Sequence, residues 1–111
     1  MRTHGGGLLA LTVEMDGARC RLRLGGELDV TGVGEVDRTL AEIDLDALEC
    51  LVLDLEEIVF MDLAGLRVIL RAHKLGRHRG FDLEVIRPRG AAGRIFTLTP
   101  LARELRLVDA A

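Results

Sequence analysis

The chain has 111 residues, 49% of them apolar, and a formal net charge of −3. That fits one domain with a real core, which excludes a disordered segment and leaves little room for a second domain. Aromatic residues are three Phe with no Tyr and no Trp, so the core is built from Leu, Val, Ile and Ala, and stacking on nucleic-acid bases is a poor mode of action.

The first residues, MRTHGGGLLALTVEM, hold one Arg and a short apolar run broken by Glu14. They lack the core and cleavage site of a signal peptide, and no stretch reaches the length of a membrane span. A cytoplasmic protein without membrane insertion is expected, with residues 1–7 as a flexible end. LLALTVE at 8–14 reads as a strand and DGA at 16–18 as a turn. CRLRL at 20–24 alternates apolar residues with Arg, which suits a strand with one solvated face. GELDV at 26–30 continues it until Gly32 and Gly34 break the run.

Over 33–43, Val33, Val36, Leu40 and Ile43 fall on one helical stripe. ECLVLDL at 49–55 is a strand whose unbroken apolar run predicts burial on both faces. The strongest helix is predicted over 63–76, where Leu66, Ile69, Leu70 and His73 share a face and Val68, Ala72 and Leu75 widen it. Arg67, Arg71, Lys74 and His78 form its polar stripe. GRHRG at 76–80 ends the helix, and FDLEVI at 81–86 alternates as a strand. Pro88 and Gly90 open a last helical stretch through Leu98, and LRLVD at 105–109 closes the chain as a short strand or helix. The order predicts a single α/β domain over 1–111, with a mixed sheet of about four to five strands and helices mainly on one side.

Chemistry is scarce. There is no phosphate-binding Gly-rich loop, and the chain contains no serine, which rules out a serine nucleophile. His73 and His78 are spaced for different helix faces, and Cys20 and Cys50 belong to no metal pattern. The cysteines read as small buried apolar residues, with a redox-sensitive pair as the sharper alternative. No cofactor, no metal, no nucleic-acid partner and no enzymatic activity are expected. The basic stripe of the strong helix reads as a solvated face. Charge is uneven along the chain: 14 of the 18 acidic residues lie at or before Asp62, and 10 of the 15 basic residues lie after it. This favours a charged interaction surface over an inert one.

Two stretches carry more than composition: GELDV at 26–30, and LVLDLEEIVFMDLAGLRVIL at 51–70, followed by the GFDLEV strand. Together they resemble the STAS domain, and within it the bacterial anti-sigma factor antagonists. The resemblance covers nearly the whole chain. The family's usual forms are Gly-Glu-Leu-Asp after the second strand and Asp-Ser-small-Gly-Leu at a helix start. The resemblance implies a non-catalytic docking module for a serine kinase that doubles as an anti-sigma factor. That kinase phosphorylates the hydroxyl directly after the motif Asp, and the phosphorylated antagonist releases it. By position Asp62 matches that Asp, Gly65 and Leu66 match the Gly-Leu, and Asp29 matches the Asp of the first motif.

Leu63 stands at the phosphoacceptor position and carries no hydroxyl. Three readings follow. The chain is an antagonist locked in its unphosphorylated state; or it is a scaffold subunit of a transporter, lipid-trafficking or sensory complex; or Leu63 is tucked under the sheet edge and the site is dead. Asp62 is also expected to cap the helix by accepting N–H bonds from Ala64 or Gly65, and Asp29 to brace the turn before Gly32. Thr31 and Thr97 are the remaining hydroxyls that could take phosphate. The expected partner surface is Asp29, Thr31, Met61, Asp62, Leu63, Ala64, Gly65 and Arg67. The expected partner is a serine-kinase-type anti-sigma factor, met by a monomer or weak dimer.

Overall fold

The computed structural model describes the backbone of residues 2–6 and 8–110 and the side chains of residues 8–110. Six strands form one sheet in sequence order: β1 (Arg2–Gly6), β2 (Leu9–Asp16), β3 (Arg19–Leu28), β4 (Cys50–Met61), β5 (Asp82–Ile86) and β6 (Arg106–Val108). The first three run antiparallel to one another, and β3 to β6 are parallel, so the sheet is mixed as expected. The parallel steps need crossovers. These are supplied by α1 (Val33–Glu42), α2 (Leu63–Arg79), and a C-terminal run of 3₁₀ turns around the short α3 (Arg94–Leu98).

Four of these strands were legible in the sequence, and β6 falls where a short strand or helix was expected. The remaining one, β1, was not: residues 2–6, expected as a flexible end, pair antiparallel with β2 from Arg2 opposite Val13 to Gly6 opposite Leu9. The remainder of that expectation, Met1 and Gly7, lies outside the described residues.

Period-two alternation sets the faces of the sheet. Leu9, Leu11 and Val13, then Cys20, Leu22 and Leu24, then Leu51, Leu53 and Leu55, then Leu83 and Val85 all enter one core with the helices. α1 contributes Val36 and Leu40, and α2 contributes Leu66, Val68, Ile69 and Ala72. α2 ends at Gly80, whose left-handed φ of 89° lets its N–H reach the carbonyl of Gly76. The basic residues Arg77 and Arg79 sit in that last turn, where the helix dipole favours them.

The cysteines do not form a pair. Cys20 registers with Leu51 and faces the core, whereas Cys50 registers with Arg19 and so points to the other face. Burial raises the pKa of both thiols, which suits inert side chains rather than redox sensors.

Candidate functional site

β4 is seven residues longer than its neighbour β5, and this overhang builds the site. Past the end of β5, β4 continues alone beside β3 to Met61. The pairing is irregular there: Gly26 lies opposite Ile58, but Glu27 lies opposite Phe60. Val59 is the inserted residue of a β-bulge. A bulge re-aims side chains. Here it leaves Val59 73% and Phe60 47% exposed in succession, while Ile58 and Met61 remain in the core.

The chain then turns at Asp62. Its backbone is extended, and its carboxylate Oδ1 accepts N–H bonds from Ala64 at 2.9 Å and Gly65 at 3.2 Å. Both donors belong to the first turn of α2 and would otherwise lack partners. The cap fixes where the helix begins, and Leu63 becomes its first residue. Leu63 is 48% exposed, so it is not tucked under the sheet.

Gly65 has a different task. A Cβ there would lie 2.4 Å from the carbonyl oxygen of Leu28 and 3.0 Å from Leu28 Cγ. Only glycine lets the first turn of α2 rest on the end of β3. That contact brings the turn after β3 beside the start of α2. In the turn, Asp29 Oδ1 accepts from Thr31 Oγ1 at 2.7 Å and from Thr31 N at 3.0 Å. The Thr31 hydroxyl, then its backbone N–H, holds the Asp29 carboxyl below its ordinary pKa. The Asp29 carbonyl also accepts from Gly32 and Val33, so the expected brace is present.

Of the residues singled out from sequence, Asp29, Thr31, Asp62, Leu63, Ala64 and Arg67 therefore gather at one end of the sheet, with Arg67 exposed one turn after Leu63. Two do not belong on the surface. Met61 is a correction, because the bulge turns it inward to the core beside Leu28. Gly65 is buried and acts through packing alone. Thr97 lies in α3 and lines a separate cleft with Arg87, Phe96 and Leu107, where its hydroxyl donates to the Arg94 carbonyl. The sequence reading missed Val59, Phe60, Val30 and Leu8, all exposed apolar residues at this end of the sheet. Phe60 could have drawn notice, as one of three aromatics in the chain and next to the motif.

The other face of the sheet is built differently. Arg19, Arg21 and Arg23 alternate along β3 with its core residues and meet carboxylates from both sides. Asp54 of β4 is only 3% exposed and accepts from Arg21 Nε at 3.1 Å and from Arg21 Nη2. Arg23 Nε lies 3.7 Å from the same oxygen, and the other carboxylate oxygen accepts from the Glu56 N–H. Arg23 also pairs with Glu14, Arg19 with Glu84, and Arg89 with Glu56. The hydrogen bond to Asp54 raises the pKa of Arg21 further. Among the described residues no cluster of His, Cys, Asp and Glu could hold a metal ion, and no helix is long and apolar enough to cross a membrane.

The STAS domain family model matches residues 10–110. The chain is similar to an anti-sigma factor antagonist from Mycobacterium paratuberculosis, with 25% identity over 89% of this chain and 84% of that one, at a TM-score of 0.72. It also matches the anti-sigma factor antagonist SpoIIAA in its unphosphorylated form, with 20% identity, 91% and 88% coverage and a TM-score of 0.75. The Bacillus SpoIIAA in its phosphorylated form matches with 21% identity over 91% of each chain, at a TM-score of 0.70. At these identities the two SpoIIAA structures speak for the fold.

Proposed function

The chain belongs to the STAS domain family, and we propose that it works there as a non-catalytic docking module of the anti-sigma factor antagonist kind, bound by a serine-kinase-type anti-sigma factor. Its place of action is the cytoplasm, and it acts as a monomer or weak dimer. The observation that carries this reading is Leu63: a half-exposed apolar side chain at the first position of α2, where the family's switch needs a hydroxyl.

The physics of the switch explains what its loss does. A phosphoryl group on a hydroxyl at this position adds roughly −1.5 to −2 charges, which the helix N-terminus tolerates and a partner's contact surface does not. Leucine cannot take that charge. It supports instead an apolar contact with Val59 and Phe60 on the same rim. Burying the exposed half of Leu63 contributes on the order of 1 kcal/mol to docking. Binding is then constitutive and set by the amount of protein. Asp29, Thr31, Asp62, Ala64 and Arg67 supply the polar border of the contact.

The test is an affinity capture from the native cytosol with wild type and Leu63→Asp side by side, read by mass spectrometry. An Asp at the first helical position suits the helix dipole, so the variant stays folded. A kinase-fold regulator held by wild type and lost by the variant supports the reading. A transporter or sensor subunit captured instead assigns the fold to a scaffold role. Equal capture by both chains would place the contact elsewhere.

A further inference from the structure

Resting on the docking role above, we propose that the contact surface continues from Leu63 along α2 into a basic groove that seats an acidic, amphipathic segment of the same protein partner. The groove encloses about 470 Å³ between α2 and the 3₁₀ turn at Pro100–Ala102, and is lined by Arg67, Leu70, Arg71, Lys74 and Leu101. Three cations and two leucines make its walls, with no carboxylate among them. Leu70 packs on the core from α2. Leu101 approaches from the other side and is 54% exposed. It is held in place, since Thr99 caps its turn and accepts the Leu101 N–H at 3.3 Å.

The cations identify the occupant. Arg71 is spent on Asp37 at 2.9 Å. Arg67 and Lys74, like Arg77, Arg94, Arg103 and Arg106 outside the groove, have no carboxylate within ion-pair range among the described residues, unlike Arg19, Arg21, Arg23, Arg38, Arg79, Arg87 and Arg89. These two unmatched charges flank the apolar pair. They stand seven residues apart on one helix, which is about 10 Å along its axis. A segment with a leucine-like anchor and carboxylates on either side of it matches both features. A nucleic-acid backbone matches the charge and leaves Leu70 and Leu101 unused. The net charge of the whole chain is negative, so attraction of an acidic segment must come from a local excess of cations such as this groove. Arg67 lies one turn beyond Leu63, which makes the groove continuous with the apolar rim.

The experiment titrates the isotope-labelled full chain with a synthetic helical peptide that carries leucines on one face and Glu elsewhere, and with its twin carrying Lys in place of Glu. The Glu peptide is expected to shift the amide signals of Arg67, Leu70, Lys74 and Leu101. It should bind about tenfold more weakly to the doubly substituted R67E/K74E chain, whose melting temperature stays that of wild type. Equal binding of both peptides, equal affinity for the variant, or shifts centred elsewhere would overturn the proposal. So would signals at these residues that move with chain concentration alone, which would assign the groove to a second copy. The peptide contains no kinase, so its failure leaves the Leu63 capture result standing, and the converse holds.

Discussion

On the helix-free face of the sheet, the arginines of β3 each reach a carboxylate: Arg21 and Arg23 from the neighbouring strands, and Arg19 from Glu84, two strands away on β5. At the end of the sheet where β4 runs into α2, Val59, Phe60 and Leu63 expose apolar side chains beside a polar border. The two regions are joined by β4 itself, which supplies Asp54 to the first and Val59 and Phe60 to the second. The contrast separates stability from function. A face whose charges are matched internally gains little from a partner and would have to give up hydration to dock. A rim of exposed apolar groups gains by being covered. The charged face is therefore part of the fold, and the apolar rim is where binding is expected.

The sharpest way to break this comparison is Asp54→Ala. The substitution strands Arg21 and Arg23 beside a nearly buried site and leaves the Glu56 N–H without its acceptor. Because both arginines keep access to solvent, the expected cost is about 2–3 kcal/mol, below that of breaking a fully buried pair. Chemical denaturation measures it. The folded fraction should still capture the partner as wild type does. A loss of capture at unchanged stability would make the charged face an interface and reverse the assignment.

Phe60→Thr probes the other region. Phe60 is half exposed on a strand, and Thr keeps the strand preference while removing the ring. Stability is expected to stay within about 0.5 kcal/mol. Partner affinity is expected to fall about tenfold, the loss of a moderate contact residue. Calorimetry with the purified partner reads it. If affinity is unchanged, the rim is narrower than Leu63 and its polar border, and the bulge at Val59 serves only the fold.

What was readable in the sequence divides along the same line. The capped start of α2 was legible, because Asp62 acts on donors two and three residues away. The sequence leaves the direction of Leu63 open between a tucked and an outward side chain, and its 48% exposure decides for outward. The core faces followed from alternation and helical periodicity. The bulge was not legible, since it depends on how β4 registers with β3 more than thirty residues upstream. Without the bulge, Met61 reads as surface and Phe60 as unremarkable. The role of Asp54 was hidden for the same reason, as Arg21 lies 33 residues away. Leu101 likewise joins the basic stripe of α2 only through the fold, and the stripe alone looks like a solvated face.

The smallest expected effect concerns the polar border of the rim. Thr31 holds Asp29 in its charged form through a hydroxyl and a backbone N–H, and Asp29 titrates below the ordinary value of 3.8 for its type. The sign follows from linkage: a depressed carboxyl pKa adds stability above the unfolded value, and that stability is lost as pH falls through the folded one. At neutral pH the contribution is thus fully present. Thr31→Ala removes the stronger of the two donors and keeps the backbone one. The Asp29 carboxyl, followed by NMR, should move back toward 3.8 without reaching it. An unmoved midpoint would mean that the backbone N–H alone sets the shift. In that case the Thr31 hydroxyl would be free for a partner rather than committed to the turn.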